Sequence, residues 1–341
     1  MSLAVSVLDF GVKNTIALIA EKKEDGSFSL LGGGEAKARG LKDGQIVHLG
    51  DATESVVEAL RKAEKASGVK TDTLYFNFDD PAIESVRVQG SKHLSGEGQI
   101  DAETVTLARR AAERLINDFE KTIVYAKEIG FVIDDRDAVL NPVGVFGQKL
   151  DILMQVLLAR ASLVDLWKSV IRRAGLSKGV AVPSILSSLY GILPREDRQR
   201  KRLVLDLGTD FLNVCVFSHA TIQDYQIAVT PDATAAAIGE QALQMAKVFF
   251  QKHPDAEQVL LTGDYAENEL FSRLFKESFL VPVFVPTPLG VTQLAQPRLA
   301  SAAGLLFVAD EMEVKKPLFE GRRGIMNQAK SKAASFIQEY F

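Results

Sequence analysis

Two stretches of the chain share one pattern of apolar and polar positions. Residues 4–20 and 202–217 each contain an apolar run, an Asp-x-Gly turn and a second apolar run. Apolar runs joined by a tight turn predict a β-hairpin from a mostly buried sheet. Because the pattern occurs twice with similar flanks, we expect a duplicated domain. The glycine of each turn permits a positive φ angle, so successive N–H groups there can bind an anion such as phosphate.

The remaining pattern predicts further strands and helices in alternation. Residues 51–67 have apolar positions at helical spacing, with Asp51 or Thr53 as the N-cap and Gly68 after the last turn. Helices are also predicted at residues 101–119, 162–174, 184–193, 233–251, 267–278 and 296–308. Strands are predicted at residues 28–35, 73–78, 82–89, 123–133, 150–159, 180–183, 222–229, 258–263 and 281–285. This order is typical of α/β lobes.

The pattern divides the chain into five parts. Residues 1–77 and 160–200 form a first lobe, interrupted by a small α+β insert at residues 78–159. Residues 201–309 form a second, shorter lobe. Residues 310–320 are predicted to be a polar linker, and residues 321–341 an amphipathic helix.

Composition narrows the classes of function. The net charge of −4 gives no reason to expect nucleic acid as a partner. The single cysteine, Cys215, excludes a disulfide within the chain and fits a reducing compartment. The four histidines are scattered without metal-ligand spacing, and we find no Ser-His-Asp or Cys-His arrangement, so neither metal catalysis nor nucleophilic hydrolysis is expected. We expect no secretory signal, and no apolar run approaches the roughly 18 to 20 residues that span a bilayer, so any membrane contact should be peripheral.

Several segments resemble the FtsA family of actin-like bacterial division proteins. LDFGVKNTIALI is similar to the family's first phosphate hairpin, LVLDLGTDFLNVCVF to the second, and VLLTGD to its adenosine-side strand and glycine. ARGLKDGQIVHLGDATESVVEALRKAE resembles the family's Arg-Gly-x-x-x-Gly-x-Ile/Val segment and the following helix. LSGEGQIDAETVTLARRAA and NPVGVFGQKLDILMQVLLA resemble parts of its inserted subdomain. The resemblance extends over most of the chain.

The resemblance implies a two-lobed α/β fold of the actin, chaperone-ATPase and sugar-kinase superfamily. This fold would carry an FtsA-type α+β insert, with the outer subdomain of one lobe reduced or missing. The resemblance also implies ATP binding between the lobes. The positions that match family motifs are Asp9, Gly11, Lys13, Asn14, Asp206, Gly208, Thr209 and Gly263. Asp9 and Asp206 would face Mg²⁺ through water, and the Gly11 and Gly208 turns would offer N–H groups to phosphates.

Three departures from the family pattern predict weakened or lost ATP binding. Thr209 and Asp210 stand where the second hairpin of the family has glycines, which adds side chains and a negative charge beside an anion. Asp264 and Tyr265 follow Gly263 where the family has small residues. The family also carries a whole subdomain between the second hairpin and strand 258–263. In this sequence, only one predicted strand and one predicted helix occupy that interval. We therefore expect no cofactor, or ATP with Mg²⁺ at low affinity, and at most a weak ATPase.

The C-terminal segment predicts a membrane-binding helix. In residues 321–341, apolar side chains cluster on one face of a helical wheel. The residues expected to contact lipid are Arg322, Arg323, Ile325, Met326, Phe336, Ile337, Tyr340 and Phe341. Such a helix either packs on its own domain or lies among lipid headgroups. The resemblance favours an anionic membrane, because FtsA ends in a linker and a similar helix.

The resemblance implies a peripheral adaptor on the cytoplasmic side of the cell membrane. It would tether FtsZ filaments or other division proteins and self-associate into filaments. We expect the FtsZ contact at residues 271–284, with Arg273 and Lys276 as contact residues. Two other interpretations stay open. One is a PilM-like scaffold of pilus assembly that binds a partner peptide, and the other is an active actin-like ATPase or sugar kinase.

Overall fold

The computed structural model describes residues 4–11, 13–116, 118–136, 138–230 and 233–314. Its strands are β1 (Ala4–Phe10), β2 (Asn14–Lys22), β3 (Phe28–Lys37), β4 (Leu41–Lys42), β5 (Gln45–Ile46), β6 (Thr73–Phe78), β7 (Glu84–Gln99), β8 (Lys121–Ile133), β9 (Ala138–Val139), β10 (Phe146–Arg160), β11 (Lys178–Pro183), β12 (Arg202–Leu207), β13 (Phe211–Ser218), β14 (Thr221–Val229), β15 (Gln258–Thr262) and β16 (Val283–Phe284). Its α-helices are α1 (Leu49–Ser67), α2 (Ala102–Arg114), α3 (Ala161–Arg173), α4 (Ser184–Ile192), α5 (Ala235–Lys252), α6 (Glu269–Ser278) and α7 (Ala300–Val314).

Two five-stranded sheets have the same topology. The first has the strand order β11-β6-β1-β2-β3, and the second has the order β14-β13-β12-β15-β16. In each sheet, an antiparallel hairpin and a third antiparallel strand lie beside two parallel strands. This shared order confirms the duplication expected from the two Asp-x-Gly hairpins. The second lobe is shorter, since α5 is the only helix of the described residues between β14 and β15.

Glycines on β3 bring α1 close to the first sheet. A side chain at Gly32 or Gly34 would overlap the backbone of α1 near Ala63 and Ala59. The buried face of α1 includes Val56 as well as these alanines. The helix therefore packs on the sheet at a distance that only glycine permits.

The N-cap of α1 differs from the prediction. The helix begins at Leu49, because Nδ1 of His48 accepts a hydrogen bond from the N–H of Asp51 at 3.3 Å. The prediction of Asp51 or Thr53 as N-cap was wrong. Gly68 ends the helix with φ 72°, in the left-handed conformation that was expected there.

The insert is a four-stranded antiparallel sheet with one helix on it. The strand order is β7-β10-β8-β9, and α2 covers one face. β7 extends to Gln99, beyond the predicted end at residue 89. Gly90 lies where α2 crosses the strand, since a side chain there would overlap Ala108 and Ala112.

Helix α2 ends at Arg114, earlier than the predicted residue 119. The chain turns instead at Asp118, whose carboxylate accepts a hydrogen bond from the N–H of Glu120 at 2.9 Å. This side-chain turn competes with a further helical turn and directs the chain into β8.

One ion pair joins the two ends of the insert. Asp80 is fully buried at the point where the chain leaves the first lobe, and Arg160 lies where it returns. The carboxylate of Asp80 accepts hydrogen bonds from the backbone N–H of Arg160 at 3.0 Å, from its Nε at 2.9 Å and from the N–H of Ala82 at 3.0 Å. These bonds fix the insert to the first lobe at its junction.

The last described helix is longer than predicted. Helix α7 extends to Val314, so the prediction of a linker from residue 310 was wrong for its first residues. Ion pairs hold the extension, since Asp310 accepts hydrogen bonds from Nζ of Lys22 at 2.8 Å and Glu311 lies 3.8 Å from Arg198. Within the predicted part of the helix, Gly304 and Gly191 allow α7 and α4 to pack with their backbones in contact. The rest of the predicted linker and the predicted tail helix lie outside the described residues.

In the described part of the chain, we find no helix with the length and hydrophobicity needed to cross a membrane.

Asp80→Ala is expected to lower the free energy of unfolding by about 3 kcal/mol, because it leaves the donors around a buried carboxylate without partners. Urea unfolding followed by circular dichroism measures this change. Asp255→Ala is the matched control, since it removes an exposed pair in which Nζ of Lys201 lies 2.8 Å from the carboxylate. The control should leave the stability nearly unchanged. Equal losses for the two variants would contradict the role assigned to Asp80.

Candidate functional site

The turns of the two Asp-x-Gly hairpins have the same geometry. The N–H of Gly11 donates to the carbonyl of Asn14 at 3.0 Å, and the N–H of Gly208 donates to the carbonyl of Phe211 at 3.1 Å. A Cβ atom at either glycine would lie within 2.8 Å of the accepting oxygen. Both turns therefore require glycine for steric reasons.

The two turns face a cleft of about 120 Å³ between the lobes. Sites for small molecules commonly have volumes of about 300–1,000 Å³. The cleft is therefore small for a nucleotide. Four of the residues that line it are aromatic, namely Phe10, Phe78, Trp167 and Phe211.

Most of the sequence-predicted nucleotide residues lie at this cleft. Its lining includes Asp9, Gly11, Asp206, Gly208, Thr209 and Gly263. Lys13 and Asn14 are not among the described residues that line it, and Lys13 is exposed. Asp9 and Asp206, one from each hairpin, thus line the same cleft. Lys13, which was predicted to belong to the site, does not line it.

Asp9 is buried at the end of β1. Its carboxyl group accepts a hydrogen bond from Nδ2 of Asn77, whose Oδ1 in turn accepts the N–H of Phe10 at 2.7 Å. Burial raises the pKa of Asp9 to about 7, although the bond from Asn77 opposes this change. The nearby carboxylates of Asp264 and Asp79 raise the pKa further.

Two more carboxyl groups lie beside Asp9. Asp206 accepts a hydrogen bond from Oγ of Ser188 at 2.6 Å, and burial raises its pKa to about 7. Asp79 accepts bonds from Oγ of Ser184 at 2.8 Å and from Nδ2 of Asn213 at 3.1 Å. Burial raises the pKa of Asp79 to about 6. The cleft therefore holds carboxyl groups that titrate close to neutral pH.

The charge of the cleft disfavours an anion. Among the described lining residues, five are acidic, namely Asp9, Asp79, Asp206, Asp210 and Asp264, and Arg298 is the one base. Nε of Arg298 donates to Oε1 of Gln296 at 2.8 Å. Without a bound cation, phosphates entering this cleft would meet a like charge from those carboxyl groups that are ionised, which is costly in a partly desolvated setting.

The non-glycine residues of the second hairpin make contacts of their own. Oγ1 of Thr209 donates to Oδ2 of Asp264 at 2.9 Å, and Oγ1 of Thr230 donates to the carbonyl of Thr209 at 3.0 Å. Gly263 has φ 90°, and a side chain there would overlap Asp206. The turn is thus hydrogen-bonded to residues just after the ends of β14 and β15.

Sequence reasoning missed Asp79 and Asn213. A signal for Asp79 existed, because it follows the buried strand β6, which runs parallel to β1. Parallel neighbours bring the residues after their carboxyl ends to the same edge of a sheet. Asn213 offered no such signal, since it lies inside an apolar strand.

The other predicted site residues are elsewhere. Arg273 and Lys276 are exposed on α6, and Nε of Arg273 lies 4.0 Å from the carboxylate of Glu277. The predicted lipid contacts, Arg322 to Phe341, lie outside the described residues. Among the residues that the structure describes, no group of three or more His, Cys, Asp or Glu side chains is placed to hold a metal ion.

Known proteins with similar sequences indicate which family the chain resembles. Residues 81–158 match the model of a domain family described as the SHS2 domain inserted in FtsA. The cell division protein FtsA of Pseudomonas aeruginosa is 22% identical over 216 residues, which is 63% of this chain and 52% of that protein. FtsA of Borreliella burgdorferi is 21% identical over 280 residues, which is 82% of this chain and 65% of that protein. The chain is FtsA-like.

A solved structure agrees with the fold. A chain of the PilM-PilN type IV pilus biogenesis complex superposes with a TM-score of 0.59 at 16% identity, covering 90% of the FtsA-like chain and 98% of that chain. At this identity, the likeness concerns the fold alone. The expected actin-like α/β fold with an FtsA-type insert is confirmed.

The FtsA-like chain is shorter than its relatives. The matches cover only about half to just under two thirds of the length of the curated FtsA proteins, from 52% to 65% for the two named here.

Asp9→Asn is expected to become more stable relative to the wild type as the pH rises. The pKa of Asp9 is about 7 in the folded chain, above its value of about 4 when unfolded, so ionisation between these values weakens folding. Asparagine stays neutral and still accepts the bond from Asn77. We expect a relative gain on the order of 2 kcal/mol between pH 5 and pH 8, measured by urea unfolding.

Asp255→Asn serves as the control for this experiment. A hydrogen bond from Lys201 lowers the pKa of Asp255, so this carboxylate stays ionised over the whole range. Its stability difference from the wild type should not change between pH 5 and pH 8. A difference for Asp9→Asn that is equally independent of pH would show that Asp9 is ionised throughout.

Proposed function

We propose that this FtsA-like chain is a nucleotide-independent adaptor of cell division. It would hold FtsZ filaments, or another division protein, at the cytoplasmic face of the membrane. The observation that carries the proposal is the match of residues 81–158 to the FtsA insert, within a body that matches FtsA proteins on both sides of it. The name of those relatives, cell division protein, is the source of the proposed process.

Independence from nucleotide is supported by the cleft. A volume of about 120 Å³, an excess of carboxyl groups and the side chains of Thr209 and Phe211 fit a nucleotide poorly. An adaptor needs no hydrolysis, so we propose that the chain is not an enzyme. The same features count against the alternative of an active actin-like ATPase.

Membrane attachment is supported by the sequence of residues 321–341. Partial burial of its large apolar side chains would yield roughly 5 to 8 kcal/mol, with about 1 kcal/mol for each basic residue near anionic lipid. Such energies suffice for reversible binding. Self-association into filaments would strengthen it through multivalency.

The partner surface is proposed on α6 and the following segment. Arg273 and Lys276 are exposed there, and the same stretch of the chain has exposed apolar side chains at Leu270, Leu280 and Phe284. Exposed apolar side chains bordered by charges are typical of protein interaction sites. The likeness to the PilM-PilN structure concerns the fold alone. A pilus scaffold is therefore the alternative that the following experiments distinguish from a division adaptor.

Full-length protein is expected to bind vesicles of anionic lipid and to recruit fluorescent FtsZ from the same organism, with or without ATP. The chain that ends at Pro317 should lose both properties, because it lacks the amphipathic segment. Co-sedimentation with vesicles measures binding.

Phe336→Glu should reduce vesicle binding strongly, whereas Gln338→Glu adds the same charge outside the apolar face and should have little effect. Recruitment that requires ATP would contradict nucleotide independence, and absence of both bindings would favour the pilus scaffold.

Arg273→Glu combined with Lys276→Glu is expected to weaken FtsZ binding by about tenfold at low salt, as charge reversal at an interface rim commonly does. Fluorescence anisotropy with labelled FtsZ measures the affinity. Arg61→Glu combined with Lys65→Glu makes the same charge change on the exposed side of α1 and serves as the control. Unchanged binding by the α6 variant would show that FtsZ does not contact Arg273 and Lys276.

A further inference from the structure

Phe211 is buried but belongs to neither lobe's core. Its side chain is 7% exposed, yet it lies outside the described clusters of buried apolar residues, of which one lies in the second lobe, one in the insert, and one joins the first lobe to part of the second. It is the first residue of β13, directly after the turn of the second hairpin, and it lines the cleft. Its burial therefore depends on contact with something other than its own lobe's core.

The backbone of Gly44, in the first lobe, covers the ring of Phe211. Asp43 and Gly44 form the turn between β4 and β5, with φ angles of 51° and 66°. A two-residue turn of this kind accepts asparagine as well as glycine. A Cβ atom at Gly44, however, would overlap the phenyl ring. Glycine is thus required by the contact with the second lobe, in addition to the turn.

The hairpin that carries Gly44 is itself fixed to the first lobe. The carbonyl of Gly40 accepts hydrogen bonds from the N–H groups of Val47 at 2.9 Å and His48 at 3.0 Å. The N–H of Arg39 donates to Oγ of Ser55 on α1 at 3.0 Å. The ring therefore rests on a part of the first lobe that is held by α1.

Polar bonds cross the cleft beside the ring. Asn213 of the second lobe donates at 3.1 Å to Asp79, which directly follows β6 of the first lobe, and Ser188 of the first lobe donates to Asp206 of the second at 2.6 Å. The second lobe supplies the donor of the first bond, and the first lobe supplies the donor of the second. The two lobes are thus joined at the cleft by these bonds and by the ring, in addition to the apolar cluster that they share.

We propose that Phe211 is an internal occupant of the cleft that holds the two lobes closed without a ligand. In this arrangement, the ring takes the place between the lobes that a bound molecule would otherwise fill. The inference concerns the body of the protein and does not rest on the tail or the partner of the proposed function. It supplies a physical basis for the closed state in the absence of nucleotide.

The distance between the lobes tests this proposal. Spin labels on Lys65→Cys in α1 and Lys247→Cys in α5 place one exposed probe on each lobe of the full chain, and the native Cys215 is buried. Pulsed dipolar spectroscopy then gives the distribution of interlobe distances. The wild-type background should give one narrow distribution, unchanged by added ATP with Mg²⁺.

Two variants alter the contact from opposite sides. Gly44→Asn keeps the turn but displaces the ring, and Phe211→Ala removes the ring. Both should shift the distribution to longer distances and broaden it. Gly26→Asn is the matched control, because Gly26 also has a positive φ of 82° but has open space where a Cβ atom would lie. This control should keep the wild-type distribution.

The proposal is overturned if both Gly44→Asn and Phe211→Ala, folded by circular dichroism, keep the wild-type distribution. It is also overturned if ATP with Mg²⁺ shifts the wild-type distribution, since a cleft already occupied by Phe211 leaves no room for such closure. Because the readout is an internal distance, its failure is separate from any failure to bind vesicles or FtsZ.

Discussion

Three carboxyl groups, those of Asp9, Asp79 and Asp206, meet at the junction of the lobes, and the rest of the architecture depends on accommodating them. Burying a carboxyl group is unfavourable unless it is hydrogen-bonded or protonated. Here Asn77 and Ser188, from the first lobe, and Asn213, from the second, supply donors. Because donors and acceptors come from both lobes, satisfying these groups also fixes how the lobes lie against each other.

The insert is attached next to this junction. Asp80 directly follows Asp79, so one residue faces the cleft and the next holds the insert through Arg160. The insert also contacts the second lobe, where Oε1 of Gln155 accepts the N–H of Ile222 at 2.9 Å. The insert thus bridges both lobes, and its position and that of the lobes are set together.

Local patterns predicted the parts of this fold that depend on neighbours in sequence. The Asp-x-Gly hairpins follow from the spacing of apolar residues, and Gly68 as the end of α1 follows from turn chemistry. A positive φ, which glycine would permit in the hairpin turns, is not found at Gly11 or Gly208. The contact of Phe211 with Gly44 could not be predicted, because it joins residues far apart in sequence and an Asp-Gly turn needs no partner. The N-cap His48 was missed because histidine is not among the residues that usually cap a helix. The extension of α7 was missed because Asp310 and Glu311 read as a polar linker, whereas they pair with Lys22 and Arg198, which are distant in sequence.

The way α7 ends determines how the body would respond to tension at its C-terminus. Asp310 is bound to Lys22 on β2, and Glu311 lies 3.8 Å from Arg198 and 3.9 Å from Lys127 of the insert. The chain continues from this point. A pull on the following residues would therefore be carried into the first sheet and the insert before it reached the second lobe. The attachment of the C-terminal segment is thus directed at the first lobe and the insert.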